Sequence, residues 1–128
     1  MPAEVIAAMG HRLTVGTANI GGAFGASQEA DAVVAAARAA VADLVGGTAD
    51  EIVFGQNMTS LTFAISRAVA RTWATGDEVV VTRLDHDANV APWRLAAADR
   101  GAVVRVVDFD PVDGTLDLDH LERVLGPR

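Results

Sequence analysis

Two stretches of this chain carry side chains and backbone groups suited to ligand chemistry. The first is Phe54-Gly-Gln-Asn-Met-Thr-Ser60, where a short apolar run enters a helical pattern. The N–H groups of a helix's first turn have no intrahelical acceptor, and the helix dipole adds partial positive charge there, so such a turn attracts anions. Asn57 or Thr59 can cap the turn, or the Thr59 hydroxyl can donate to a phosphate. Capping by Asn, Ser or Thr is so common that these residues by themselves favour a plain cap. The glycine signatures of dinucleotide-binding and P-loop turns do not occur.

The second stretch is Leu84-Asp-His-Asp-Ala-Asn-Val90, directly after a valine-rich run. It falls at the carboxyl end of an expected strand, where open α/β sheets bind ligands. His86 can stack on a ring, move a proton, or cap the following helix. Asp85, His86 and Asp87 invite a metal reading. Adjacent residues point in different directions, though, and no second histidine follows at i+3 or i+4, so no metal is expected. A third stretch, Ala18-Asn-Ile-Gly-Gly-Ala-Phe24, permits tight turns or close backbone approach, and equally reads as a flexible loop. His11 and His120 have no partners in sequence and read as surface or structural. Asp108, Asp110 and Asp113 lack the pattern of a calcium loop and read as turn formers.

These stretches need a scaffold, and the hydrophobic pattern supplies one. A weak helix is expected over residues 2–10 and a loop from Thr14 to Ala26. A helix capped by Ser27 follows, with Val33, Val34, Ala37, Val41, Leu44 and Val45 on its buried face and Gly46-Gly47 as its stop. Residues 51–54 read as a short buried strand. Residues 59–74 read as a helix with Leu61, Ile65, Ala68 and Val69 inward. Residues 78–82 form a second strand, its three consecutive valines suiting a parallel strand covered on both faces. A helix over 90–99, a strand over 102–107 and a short helix capped by Asp117 complete the order. The alternation argues for α/β architecture with about three parallel strands and covering helices.

Composition narrows the function classes. All ten basic residues are arginines, scattered from Arg12 to Arg128, and the net charge is −7. That excludes the basic footprint of a nucleic-acid binder and offers nothing to an anionic membrane. The chain has no cysteine, which removes disulfides and thiolate metal sites. No run reaches transmembrane length, and residues 1–12 lack a basic signal-peptide start. A cytoplasmic protein is expected.

Taken in order, these segments resemble the class V aminotransferase family in its cysteine desulfurase-like branch. These are fold type I enzymes that use pyridoxal 5′-phosphate (PLP). The run EIVFGQNMTSLTFAISRAVARTW resembles the family's first large-domain strand, phosphate turn and helix. GDEVVVTRLDHDANVAPWRLAA resembles the next strand and its histidine loop, with DHDANVAPW the most specific piece. GAVVRVVDFDPVDGTLDLDHLERVL resembles the following strand, loop and helix, and ANIGGAF with the Ser27 helix resembles the segment before them.

The resemblance implies a partial three-layer α/β/α fold, residues 1–128 being the amino-terminal part of a PLP-dependent transferase large domain, with the small domain absent. It implies that Met58 and Thr59 hold the PLP phosphate, with Asn57 replacing the usual glycine of that turn. His86 would stack on the pyridine ring, and Asn89 in the same loop would approach the ligand. Gly21 stands where desulfurases often carry a substrate-facing histidine. The implied reaction acts on an amino acid through an aldimine, by desulfuration or amino transfer. The family bonds its cofactor to a lysine, and this sequence contains none, so covalent attachment through a lysine of this chain is impossible and no residue here is assigned as catalytic. The chain alone is therefore expected to be inactive, a non-catalytic remnant or small phosphate-ligand module being the alternative. An incomplete sheet would also favour self-association as a homo-oligomer.

Overall fold

The structure is a computed structural model that describes residues 1–126. The chain divides into two units, Met1–Phe54 and Gly55–Arg128.

In the first unit, α1 spans Ala3–Val15 and α2 spans Gly25–Val45. The first helix runs five residues past the expected end, stopping at Gly16. The second begins two residues before Ser27, with Phe24 rather than Ser27 at its N-cap. Ser27 has another task. It is fully buried, its hydroxyl donates to the Asn19 carbonyl at 2.6 Å, and it accepts the Gly22 N–H at 2.7 Å. A Cβ on Gly22 would lie 2.9 Å from that hydroxyl oxygen, so only glycine allows this approach. The Asp31 carboxylate accepts the Gly21 N–H at 3.1 Å. The glycine stretch is therefore pinned to α2 rather than loose.

The expected apolar face of α2 is only partly covered. Val34, Ala37 and Val41 are half-buried, whereas Val33, Leu44 and Val45 are exposed. Two helices and one short turn offer this unit little to bury them against. The expected strand at 51–54 does not form. Ala49–Glu51 is a 3-10 turn, and Ile52 is extended but joins no ladder among the described residues. Glu51 explains the turn. Its carboxylate reaches back to the Thr48 N–H at 2.8 Å and to the Thr48 hydroxyl at 2.9 Å, a reciprocal arrangement that favours a helical start.

The second unit holds the sheet. β1 (Glu78–Thr82) and β2 (Val103–Val107) pair in parallel, Glu78 opposite Val103 and Thr82 opposite Val107. Parallel neighbours require a crossover, and α4 (Ala91–Arg100) provides it. The class is thus α/β as expected, with two paired strands rather than three among the described residues. Val81, Val107, Ala96, Ala97 and Pro92 are buried. Glu78 and Arg105 tie the strands diagonally through a carboxylate–guanidinium contact of 2.5 Å, which holds the Arg105 proton more firmly than usual.

α3 spans Met58–Val69 and packs against α4. Its inward face lies one step round from the expected one. Ser66 and the following Ala70 are buried, whereas Ile65 and Val69 are half exposed. The buried residues of α4 are also small, which lets the two helix backbones approach closely. Trp73 and Trp93 sit with ring centroids 6.4 Å apart in a tilted pair. In the loop after β2, Asp110 and Asp113 accept backbone N–H groups two residues on, as turn formers do. Asp117 caps α5 (Leu118–Val124) by accepting the His120 N–H at 2.7 Å.

Candidate functional site

Apart from Phe54, both chemically promising stretches belong to the Gly55–Arg128 unit. At the first, the Asn57 backbone is extended and its side-chain oxygen accepts the Ser60 N–H at 2.9 Å. The Asn57 carbonyl accepts the Leu61 N–H at 3.1 Å. Met58 and Thr59 then open α3. Among the described residues no acceptor faces their N–H groups, nor is the Thr59 hydroxyl engaged. The approach to this turn is tight. A Cβ on Gly55 would lie 2.5 Å from Leu61 Cδ2, so the backbone passes directly over that side chain.

At the second, β1 ends in a knot of hydrogen bonds. The Thr82 hydroxyl donates to the Asp85 carboxylate at 2.7 Å and accepts the Asp85 N–H at 3.1 Å. The other Asp85 oxygen accepts from Asn89 Nδ2 at 3.4 Å. His86 is the N-cap of a 3-10 turn, Asp87–Asn89, its Nδ1 accepting the Ala88 N–H at 3.0 Å. An accepting Nδ1 carries no proton, so the neutral ring bears its proton on Nε2. The Arg83 guanidinium pairs with Asp108, and the Arg83 N–H donates to the Val107 carbonyl at 3.0 Å, fixing the ends of β1 and β2 together.

α3 packs against the Asp87–Asn89 turn, so the helix that begins with Met58 and Thr59 and the loop that carries Asn89 are neighbours. No hydrogen bond joins the two stretches among the described residues. A cleft of about 350 Å³ beside Trp73 and Trp93 takes in Asp85 and Asn89 but not His86, Met58 or Thr59. Two free N–H groups and a free hydroxyl at a helix start form a donor set that suits a phosphate. Among the described residues no group of His, Asp or Glu side chains is arranged to hold a metal. Sequence reasoning passed over the Thr82–Asp85–Asn89 contacts. Their signal is the spacing of a hydroxyl three residues before a carboxylate, a local side-chain-to-backbone pattern.

The family profile Aminotransferase class-V matches residues 1–128. The chain belongs to the class V aminotransferase family. Among curated relatives, it is 40% identical over 105 residues to a probable cysteine desulfurase of Xylella fastidiosa, covering 78% of this chain and 24% of that protein. It is 35% identical over 108 residues to a cysteine desulfurase of Klebsiella pneumoniae, covering 80% and 25% respectively. The chain thus spans about a quarter of the length of these relatives. Its fold matches the apo cysteine desulfurase of Thermococcus onnurineus with a TM-score of 0.85 at 28% identity, over 96% of this chain and 31% of that one. It also matches the cystine C-S lyase C-DES, solved with its reaction product cysteine persulfide, with a TM-score of 0.72 at 26% identity, over 99% of this chain and 33% of that one. The α/β class V fold and the cysteine desulfurase-like character expected from the segments DHDANVAPW and EIVFGQNMTS both hold.

Proposed function

We propose that this chain supplies the phosphate-holding and ring-covering part of a PLP site in a class V aminotransferase that acts on an amino acid, with desulfuration the favoured branch. The single observation that carries the reading is the pair of free N–H groups at Met58 and Thr59, in the run that resembles the family's phosphate turn. Residues 1–128 correspond in this reading to the amino-terminal part of the large domain. When bound, PLP supplies an electron sink for bonds broken at an amino acid's α-carbon.

This chain's own residues have separate tasks. The Met58 and Thr59 N–H groups and the Thr59 hydroxyl bind the phosphate, aided by the dipole of α3. Asn57 keeps that turn open by capping Ser60 rather than occupying the two outer N–H groups. His86 lies against the ring, oriented by its bond to Ala88. Asn89 offers its carboxamide oxygen at the ligand's edge while its nitrogen stays on Asp85. The 128 residues contain no lysine, so a Schiff-base amine must come from sequence outside them, and binding by this chain alone is weak and noncovalent. The similarity to cysteine desulfurases favours desulfuration, although Gly21 stands where desulfurases often carry a substrate-facing histidine.

Absorbance titration with PLP, followed by borohydride reduction and peptide mapping, tests this. Saturable binding with any fixed adduct confined to the Met1 α-amino group supports it. An adduct fixed on another residue, or no saturable binding at any concentration, contradicts it.

Both strands of the two-stranded sheet have an unpaired edge among the described residues. That feature favours self-association, and we propose a homo-oligomer. Size-exclusion chromatography with light scattering checks it, a monomer at all concentrations counting against it.

A further inference from the structure

The role inferred for the hydrogen-bonded end of β1 rests on the PLP reading of His86 and Asn89 and goes beyond it by naming what holds them.

We propose that Asp85 is a positioning residue whose carboxylate fixes the His86 ring and the Asn89 carboxamide for the ligand. One oxygen accepts the Thr82 hydroxyl at 2.7 Å, at the last residue of β1. The other accepts Asn89 Nδ2 at 3.4 Å, at the last residue of the 3-10 turn. A single carboxylate thus bridges the two ends of the segment that holds His86. Within that span the Asn89 N–H donates to the His86 carbonyl at 2.8 Å, and the Ala88 N–H donates to His86 Nδ1 at 3.0 Å.

The chemistry requires a group that accepts on both sides. Thr82 has one hydroxyl proton, and it already receives the Asp85 N–H at 3.1 Å. Asn89 presents an amide donor. An ionised carboxylate accepts from both without needing a proton of its own. The strand end is fixed in turn by the Arg83 N–H bond to Val107 and the Arg83–Asp108 ion pair. The clasp therefore anchors the histidine loop to the paired end of the sheet. Loss of the clasp frees the loop, and with it the Ala88 bond that sets the His86 ring proton on Nε2.

The test uses the full 128-residue chain without ligand. Amide exchange at Ala88 is read against Ala97 in the core of α4, and the ring nitrogens of His86 are followed by 15N NMR. Asp85→Ala is expected to speed Ala88 exchange by about five- to tenfold relative to Ala97, the worth of one or two exposed hydrogen bonds. It should also mix the His86 tautomers. Asp85→Glu should restore much of both signals, and Thr82→Val should reproduce the loosening with the carboxylate still present. The second variant also reads the clasp if Asp85→Ala disturbs folding. Unchanged Ala88 exchange and an unchanged His86 tautomer in both Asp85→Ala and Thr82→Val would overturn the proposal. Failure of the PLP reading is seen separately, as PLP leaving His86 of the unsubstituted chain unshifted, and the ligand-free measurements still decide the role of Asp85.

Discussion

The Asn57 side-chain oxygen accepts the N–H of Ser60, at 2.9 Å, and leaves the N–H groups of Met58 and Thr59 without a partner among the described residues. Helix cap and anion cradle therefore draw on different N–H groups of one turn. Asn57→Ala should lose the cap and about 1 kcal/mol of stability, measurable by urea unfolding. Asn57→Asp separates the two roles. A carboxylate caps well and suits the positive end of the helix dipole, so stability should hold or rise slightly. The added negative charge should weaken PLP binding by about tenfold through repulsion of the phosphate. Equal loss of stability and affinity in Asn57→Asp would speak against a phosphate at this turn.

The close passage of Gly55 over Leu61 gives a second prediction. A Cβ at Gly55 would come within 2.7 Å of Leu61 Cγ, close enough to force the leucine to shift. Gly55→Ala should destabilise by roughly 1–3 kcal/mol, the usual range for overpacking. Leu61→Ala in the same chain should recover part of that loss. A double-mutant cycle by chemical denaturation measures the coupling, and strict additivity would contradict the contact.

The main elements could be read from sequence because their patterns are local. Three consecutive valines marked β1, and Asp117 marked the start of α5. Asn57 was recognisable as a cap because its partner lies three residues on. What escaped depends on partners distant in sequence. Residues 51–54 are apolar enough for a strand, but a strand exists only with a neighbour to take its hydrogen bonds, and the Thr48–Glu51 contacts favour a 3-10 turn. Ser27 has the composition of an N-cap, yet its hydroxyl serves Asn19 and Gly22, eight and five residues away. On α3, periodicity placed Ile65 and Val69 inward, whereas close packing against α4 selects the smaller Ser66 and Ala70. The site shows the same division. Asn57, Met58, Thr59, His86 and Asn89 are candidates through the resemblance alone, whereas the bridge from Asp85 to Thr82 and Asn89 needed the folded structure.

Acid stability should depend on Glu51. Its carboxyl is held below the usual carboxylate range, first by the Thr48 N–H and then by the Thr48 hydroxyl. Asp113 is lowered in the same way by the Thr115 hydroxyl and N–H. A group whose folded pKa is depressed stabilises the fold above its unfolded pKa, and this contribution is lost as pH falls through the folded pKa. Stability should therefore decline across and below the ordinary carboxylate range. Glu51→Gln should flatten part of that decline while lowering stability at neutral pH. Thermal unfolding of both chains between neutral and strongly acidic pH measures it, and parallel pH profiles would contradict the Thr48–Glu51 account.

The core makes a further demand. Val107 is fully buried where β2 pairs with Thr82, and it adjoins the strand end that carries the histidine loop. Val107→Ala should cost about 2 kcal/mol, and His86 signals should broaden before the α4 core does. Differential scanning calorimetry with NMR of the same sample follows both.

The central claim is that the Met58–Thr59 turn receives the phosphate of PLP while His86 meets its ring. The most direct measurement is amide and histidine-ring NMR during titration with PLP, with pyridoxal (which lacks the phosphate) as the comparison. The account predicts saturable shifts at the Met58 and Thr59 amides and the His86 ring with PLP, and loss of the Met58 and Thr59 shifts with pyridoxal. PLP shifts confined to other residues, with Met58, Thr59 and His86 unmoved, would contradict it.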